Sequence, residues 1–384
     1  MSQPFTTRIL AAALTLTAGL YAQNALATNV VVGPNTCQPG KPHYATIQAA
    51  VNAAPNAGIV LVCPGTYLEQ VSITKPLTLK GVTDGTNNAA IVKVPATGLV
   101  INGFAPTYFL GPVTGQVVVQ NTSGVTVSNL IIDGTGSGCV SGAIREVGIF
   151  AYNVGNTVVS NVTVRNEITG CQTGEGILSD TSTITVNGNQ VHDIDRTGIL
   201  IQGGVGTVEN NNVQSAAFYG ISMYLASKTL VTLNTVAGLT SSFQGSSFSA
   251  ILVQNSSNSV VSKNTLLASP NQFGETIGIW AYGNPNANSL LANIVSAFGY
   301  GIALQGCSNT VVQTNKLSEL LQDGIYEVTS LGGNNITKNT VNEAAFGIFT
   351  DSSVSGDTLV PNTFYNTTTT IDPNPSSIGT PSDQ

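Results

Sequence analysis

Charge is what this sequence has least of. Only 8% of its 384 residues are Asp, Glu, Lys or Arg, against about 25% in an ordinary globular domain. The 12 basic residues are outnumbered by 19 acidic ones. A chain so poor in bases has no electrostatic reason to bind nucleic acid or anionic lipid. The same balance disfavours a polyanionic glycan unless a cation bridges the two. Cysteine is sparse as well: Cys37, Cys63, Cys139, Cys171 and Cys307 form no CxxC pair, so a zinc or dithiol redox motif is not indicated. No cofactor or metal set is called for; calcium is compatible but nothing points to it. Long apolar runs are missing too. The one candidate, Ile9 to Tyr21, is interrupted by Thr15 and Thr17 and falls short of the ~18 residues a membrane span needs. Disorder is excluded from the other side, because 42% of residues are hydrophobic.

What is present begins with an export signal. Arg8 precedes the short apolar run, and Ala25-Leu26-Ala27 supplies a small-x-small cleavage pattern. Removal of residues 1–27 takes away one of the 12 bases and no acid, which leaves 11 against 19, or −8. The expected location is secreted or periplasmic. In that oxidising setting the expected bridges are Cys37–Cys63 and Cys139–Cys171, with Cys307 left as a packed thiol.

The rest is organised by repetition. A Gly-Ile step recurs at Gly148, Gly176, Gly198, Gly220, Gly278, Gly301, Gly324 and Gly347, with Ala250-Ile251 filling the one gap. Successive steps are 28, 22, 22, 30, 28, 23, 23 and 23 residues apart. A second marker follows each step by 13 to 15 residues: Asn161, Asn189, Asn211, Asn234, Asn264, Asn293, Asn315, Asn339 and Asn362. All but Asn161 read Asn-x-apolar. A period of this length marks a solenoid. After each Gly comes a short alternating stretch such as "GILIQ" or "GIALQ", in which Ile points inward and the residue four after Gly points outward. Stacked Asn side chains at ~4.8 Å spacing would form a ladder that satisfies buried polar groups. The fold class expected is all-β: a right-handed parallel β-helix solenoid with an N-terminal capping helix.

Over roughly residues 45–360 the chain resembles the pectin-lyase-like right-handed parallel β-helix superfamily. The stretch "YATIQAAVNAAPNAGIVLVCPGTYLEQVSI" adds a helical spacing at Ile47, Ala50, Val51 and Ala54, ended by Pro55. It is similar to the capping helix and first coil of pectin methylesterases, whose G-x-Y-x-E element matches Gly65 to Glu69. The catalytic elements of pectin methylesterases, polygalacturonases and the main pectate lyases are absent. His192-Asp193-Ile194-Asp195 is a loose echo of the D-P-H-D element of alginate epimerases. The expected boundaries are 1–27 signal peptide, 28–58 cap, 59–362 β-helix and 363–384 a Thr/Pro/Ser-rich tail.

Two constellations could carry function. Aligned on the Asn column, Asp133, Arg165 and Asp193 stack on successive coils with His192 beside them. Arg165 would hold a substrate carboxylate, and His192 or Asp193 would act as base. A solvated salt-bridge stack is the preferred explanation of these four residues. The second set faces outward four residues after each Gly: Tyr152, Asp180, Gln202, Tyr224, Gln254 and Tyr282, with Trp280 beside the last. Aromatic faces suit sugar rings, and amides and carboxylates suit hydroxyls; Tyr and Gln also simply favour an exposed β surface. The expected function is to bind or process polysaccharide along this face. The competing expectation is a non-catalytic surface or matrix rod. Whether the chain is an enzyme, and its oligomeric state, are left open by these residues.

Overall fold

A computed structural model describes residues 29–83, 85, 89–107, 110–240, 248–268, 276–283, 285–351, 354 and 356–372. The expected signal peptide and the end of the tail lie outside the described residues. Each coil lays down three short strands. One coil runs Thr157–Ser160, Thr163–Glu167 and Gly174–Asp180; the next runs Thr183–Asn187, Gln190–Ile194 and Thr197–Gln202. Each pairs in parallel with its counterpart one coil on. Repetition gives three columns of strands. The first forms a 13-stranded sheet, and the second and third join in a 23-stranded one. The fold is a parallel β-helix. No helix among the described residues is long and apolar enough to cross a membrane.

The Ile of each Gly-Ile step explains the interior. Ile149, Ile177, Ile199, Ile221, Ile251, Ile279, Ile302, Ile325 and Ile348 lie in register and fully buried. They belong to one continuous core that extends from Val30 to Ile371. Each such side chain contributes about 1.5–3 kcal/mol by leaving water. The Gly beside it answers to close approach rather than to an unusual φ. A Cβ at Gly198 would stand 2.5 Å from Val213 Cγ1 and 2.7 Å from the Gly220 carbonyl.

The Asn column is an internal ladder from Asn189 to Asn362. Each Nδ2 before Asn362 donates to the Oδ1 of the Asn one coil on, as from Asn234 to Asn264 and from Asn264 to Asn293, both at 3.0 Å. The same Oδ1 accepts the backbone N–H of the previous Asn, and Nδ2 also reaches a strand carbonyl, Val231 in the case of Asn264. Backbone groups stranded at a buried turn thus find partners. Asn161 departs from the expectation. It is exposed and sits at the left-handed position one residue earlier, with φ 52°, and Val162 takes the ladder place by donating to Asn189 Oδ1. Both turn positions accept Asn for different reasons: αL tolerance at one, amide pairing at the other. Polar side chains, unforeseen from the sequence, also take up backbone N–H groups along another turn: Asn288 from Ser259, Asn334 from Thr310 and Asp357 from Asn334.

The ends are built differently. Helix Ile47–Ala53 closes the N-terminal end and buries Ile47, Ala50 and Val51. Thr46 is its N-cap, and Glu69 of the Gly65–Glu69 element accepts the N–H groups of Ile47 and Gln48 at 2.8 and 2.9 Å. A carboxylate at a helix N-terminus offsets orphan donors and the dipole together. At the other end, strand Thr363–Asp372 pairs with Thr340–Thr350, so the solenoid continues ten residues past the expected boundary at 362. The bridges are Cys37–Cys63 and Cys139–Cys171, and Cys307 is a buried free thiol.

Candidate functional site

The third column carries the outward Tyr/Gln positions. Gln120, Tyr152, Asp180, Gln202, Tyr224, Gln254, Tyr282, Gln305 and Val328 pair in register on successive coils. Two residues earlier runs a parallel outward row: Val118, Phe150, Leu178, Leu200, Ser222, Leu252, Trp280, Ala303, Tyr326 and Phe349. The two rows make one face, and the face has two unlike halves.

The N-terminal half is covered. Strand Gly103–Ala105 folds back antiparallel on Gly111–Gln120 and forms a strap. Ala105 and Val113 pack with Val118, Val147, Phe150, Leu178 and Leu200 in an apolar cluster outside the solenoid, with Tyr152 and Tyr224 at its edge. Beyond the strap's strand, the Thr107 N–H donates to Asp180 Oδ2 at 3.2 Å, and its hydroxyl donates to Oδ1. Gln202 Nε2 also donates to Asp180, at 2.8 Å. Asp180 and Gln202 are fully buried. These two expected sugar-binding residues are therefore tied into the strap.

The C-terminal half is aromatic, and no strap covers it among the described residues. Trp280 and Tyr282 stand with ring centroids 5.0 Å apart and tilted 40°. Gln254 and Gln305 flank Tyr282 on the coils either side, about 4.8 Å away. Further on, Tyr326 lies 5.2 Å from Tyr300 and 5.3 Å from Phe349, onto which it stacks, and Phe346 meets Phe349 edge-on. All six rings are half-buried. Tyr300, Tyr326, Phe346 and Phe349 were not singled out from the sequence; Tyr326 and Phe349 follow the step in "GIY" and "GIF", but "GIF" also occurs at Gly148 in the covered half, so the triplet alone does not mark the site. A shallow depression joins the halves, lined by Arg196, Tyr219, Ser222, Tyr224, Leu252 and Gln254, among others.

The expected acid/base group lies on the second column, away from this face. Asp133 and Arg165 are in register, but the partner of Arg165 on the next coil is His192. Asp193 occupies the left-handed bend one residue later, φ 58°, and its Oδ2 lies 2.7 Å from His192 Nδ1. The alignment on Asn161 put Asp193 in the stack because Asn161 is one residue out of phase with Asn189. Asp133 is saturated: Oδ1 accepts from Thr135 N, Thr135 Oγ1 and Asn166 Nδ2, and Oδ2 from Arg165 Nε and Nη2. Burial opposes its charge, but the bonds from Asn166, Thr135 and Arg165 prevail and hold its carboxyl well below the usual range. No lone pair is left to take a substrate proton.

Other acids are shifted the opposite way. Glu167 sits where later coils place Ile194 and Ala216; it is fully buried, and neither carboxylate oxygen has a hydrogen bond. Burial, helped by the charges of Glu146, Asp133 and Asp195, pushes its pKa well above the ordinary value. Glu175 is raised to about 7 by burial, against the attraction of Arg196 and Arg145. Its Oε1 lies 3.3 Å from Nε of Arg196, which lines the depression, while Glu175 itself is fully buried. Asp195 accepts from Thr169 N and Oγ1, Gly170 N and Gly174 N and so shapes the loop that carries Cys171. Among the described residues no group of three or more His, Cys, Asp or Glu is placed to hold a metal ion.

The chain belongs to the right-handed β-helix family. It matches the family described as "Right handed beta helix region" over residues 109–236 and 240–373. Solved structures of similar shape include the following three. One is a lacto-N-biosidase from Eubacterium ramulus (14% identity, 89% of this chain and 67% of that one, TM-score 0.62). Another is a DFA-IIIase from Arthrobacter chlorophenolicus (16%, 88% and 94%, 0.61). The third is the catalytic domain of an α-1,3-glucanase (12%, 94% and 68%, 0.61). At such identities the likeness is one of fold. Among curated protein sequences no significant match was found.

Proposed function

We propose that this is an exported protein, secreted or periplasmic, that holds a polysaccharide against the open half of its third column. The observation that carries this reading is the Trp280–Tyr282 corner with Gln254 and Gln305 on the adjacent coils. A sugar ring stacks on aromatic faces through its C–H edges, and amides one coil away meet its hydroxyls. Two bridged cysteine pairs fit an oxidising compartment. Similarly shaped proteins named as a lacto-N-biosidase and an α-1,3-glucanase agree with a carbohydrate partner. The rod-like alternative does not account for six half-buried aromatic rings on one face. A glycan array followed by calorimetry tests the proposal. Trp280→Ala should lose most of the binding while the fold is retained; equal binding by the variant would refute it.

A catalytic version has one specific observation in its favour. Glu175, raised to about 7, is fully buried behind Arg196, which lines the depression; a protonated carboxylic acid there could act as general acid once the Arg196 side chain moves aside. Glu175→Gln should then abolish turnover of a bound glycan with little change in affinity. A wild-type protein that binds but releases no reducing ends or unsaturated products decides for binding alone.

A further inference from the structure

The proposed face has a second property, its charge. Third-column strands Thr197–Gln202, Tyr219–Tyr224, Phe248–Gln254, Thr276–Tyr282, Tyr300–Gln305 and Asp323–Val328, with the following Thr340–Thr350, contain no Lys or Arg. Arg196, which lines the depression at the boundary with the covered half, is paired with Glu175; the other bases of this half sit elsewhere. Lys263 and Lys338 occupy the left-handed turn before the Asn ladder, Lys316 lies on the second column, and Lys228 is on a turn beyond Tyr224. Acids, by contrast, flank the open aromatic rings. Asp323 opens the strand of Tyr326, in register with Phe346. Asp351 follows Thr350 and accepts the Thr329 N–H at 3.0 Å. The other groups that face outward beside the rings are neutral: the amides of Gln254 and Gln305 and the tyrosine hydroxyls.

We infer that the ligand of this face is an uncharged glycan, a chain of neutral hexose or pentose units, and not a uronate or sulfated one. The inference rests on the polysaccharide reading above. An anionic sugar laid on these rings would lose water and meet no counter-charge, with carboxylates at Asp323 and Asp351 beside it. An unpaired charge taken out of water is costly, and like charges repel across the short gaps of such a face. A neutral ring incurs neither cost and keeps its hydroxyls bonded to amides and phenols. The −8 balance of the chain without residues 1–27 acts in the same direction at longer range.

The test compares probes of different charge on the full chain. Cellohexaose, xylohexaose, mannohexaose and laminarihexaose are titrated beside hexagalacturonate, its methyl ester and a glucosamine hexamer. Measurements are made at about 0.05 and 0.5 M NaCl, where screening lengths differ several-fold. The expected result is that at least one neutral probe binds tenfold or more tighter than hexagalacturonate, with little salt dependence. Gln305→Lys should narrow that gap by raising uronate affinity at low salt. Preference for hexagalacturonate over every neutral probe overturns the inference and leaves the polysaccharide reading standing. So does a tenfold preference for the glucosamine hexamer. Binding to none of them overturns both.

Discussion

The two halves of the third column share register and the Gly-Ile step, yet end in opposite states. In the N-terminal half, Phe150, Leu178 and Leu200 lie under Ala105 and Val113, and Asp180 is bonded to Thr107. In the C-terminal half, Trp280, Tyr326 and Phe349 occupy the same row and remain half-buried. Position in the repeat therefore decides orientation, and the strap decides availability. A residue can be outward on its strand and still be part of a core.

The largest expected effect separates the halves by stability. Phe150→Ala should cost about 3–5 kcal/mol, as large-to-small changes at packed sites do, with glycan binding intact in the protein that stays folded. Denaturant titration and calorimetry on one preparation check both parts. A small loss would mean that the strap does not seal that half.

Next in size is a pH effect centred on the C-terminal half. Burial, with the nearby Asp357 charge, raises the Glu327 carboxyl from 4.5 to about 8, although Asn334 donates to it at 2.8 Å. Its folded pKa lies above its unfolded one. The stability it contributes is complete below the unfolded value and is lost as pH rises through the folded one. Glu175, raised to about 7, acts in the same direction. Stability should fall by several kcal/mol between about pH 5 and 9. Glu327→Gln should flatten the curve, and an unchanged slope would exclude Glu327 as its source.

Asn264→Ala should affect the shared scaffold and neither half selectively. It leaves the Asn234 N–H and the Val231 carbonyl without their side-chain partners, at about 2 kcal/mol. Hydrogen exchange should show the loss spreading to the coils on both sides. The smallest effect is expected at Arg165→Ala. Its contact with Asp133 is a partly exposed ion pair at 3.0 Å, worth under ~1 kcal/mol. Glycan binding should be unaffected, since the pair lies on the second column.

Much of this arrangement could be read in advance, because two markers recur with the coil. Gly-Ile fixes which face of the third strand is inward, and Asn-x-apolar fixes the ladder turn. The errors arose where one residue type serves two positions. Asn161 satisfies the left-handed turn as well as any ladder Asn does, so a single-residue phase shift moved Asp193 into a stack that belongs to His192. The strap escaped notice because residues 98–113 carry no repeat marker, and its contact with Asp180 spans 73 positions in sequence. Glu167 escaped too: an inward-facing acid is visible only once its strand is aligned with those bearing Ile194 and Ala216.

Trp280 is the only tryptophan in the chain, so its fluorescence reports on the open half alone. The most direct measurement is a fluorescence titration of the folded protein with the oligosaccharide that binds best by calorimetry. The account predicts that Trp280 emission shifts and becomes shielded from iodide with the calorimetric affinity, and that Tyr326→Ala weakens both signals together. Saturable binding by calorimetry with no change in Trp280 emission or shielding would place the sugar elsewhere on the molecule and contradict the account.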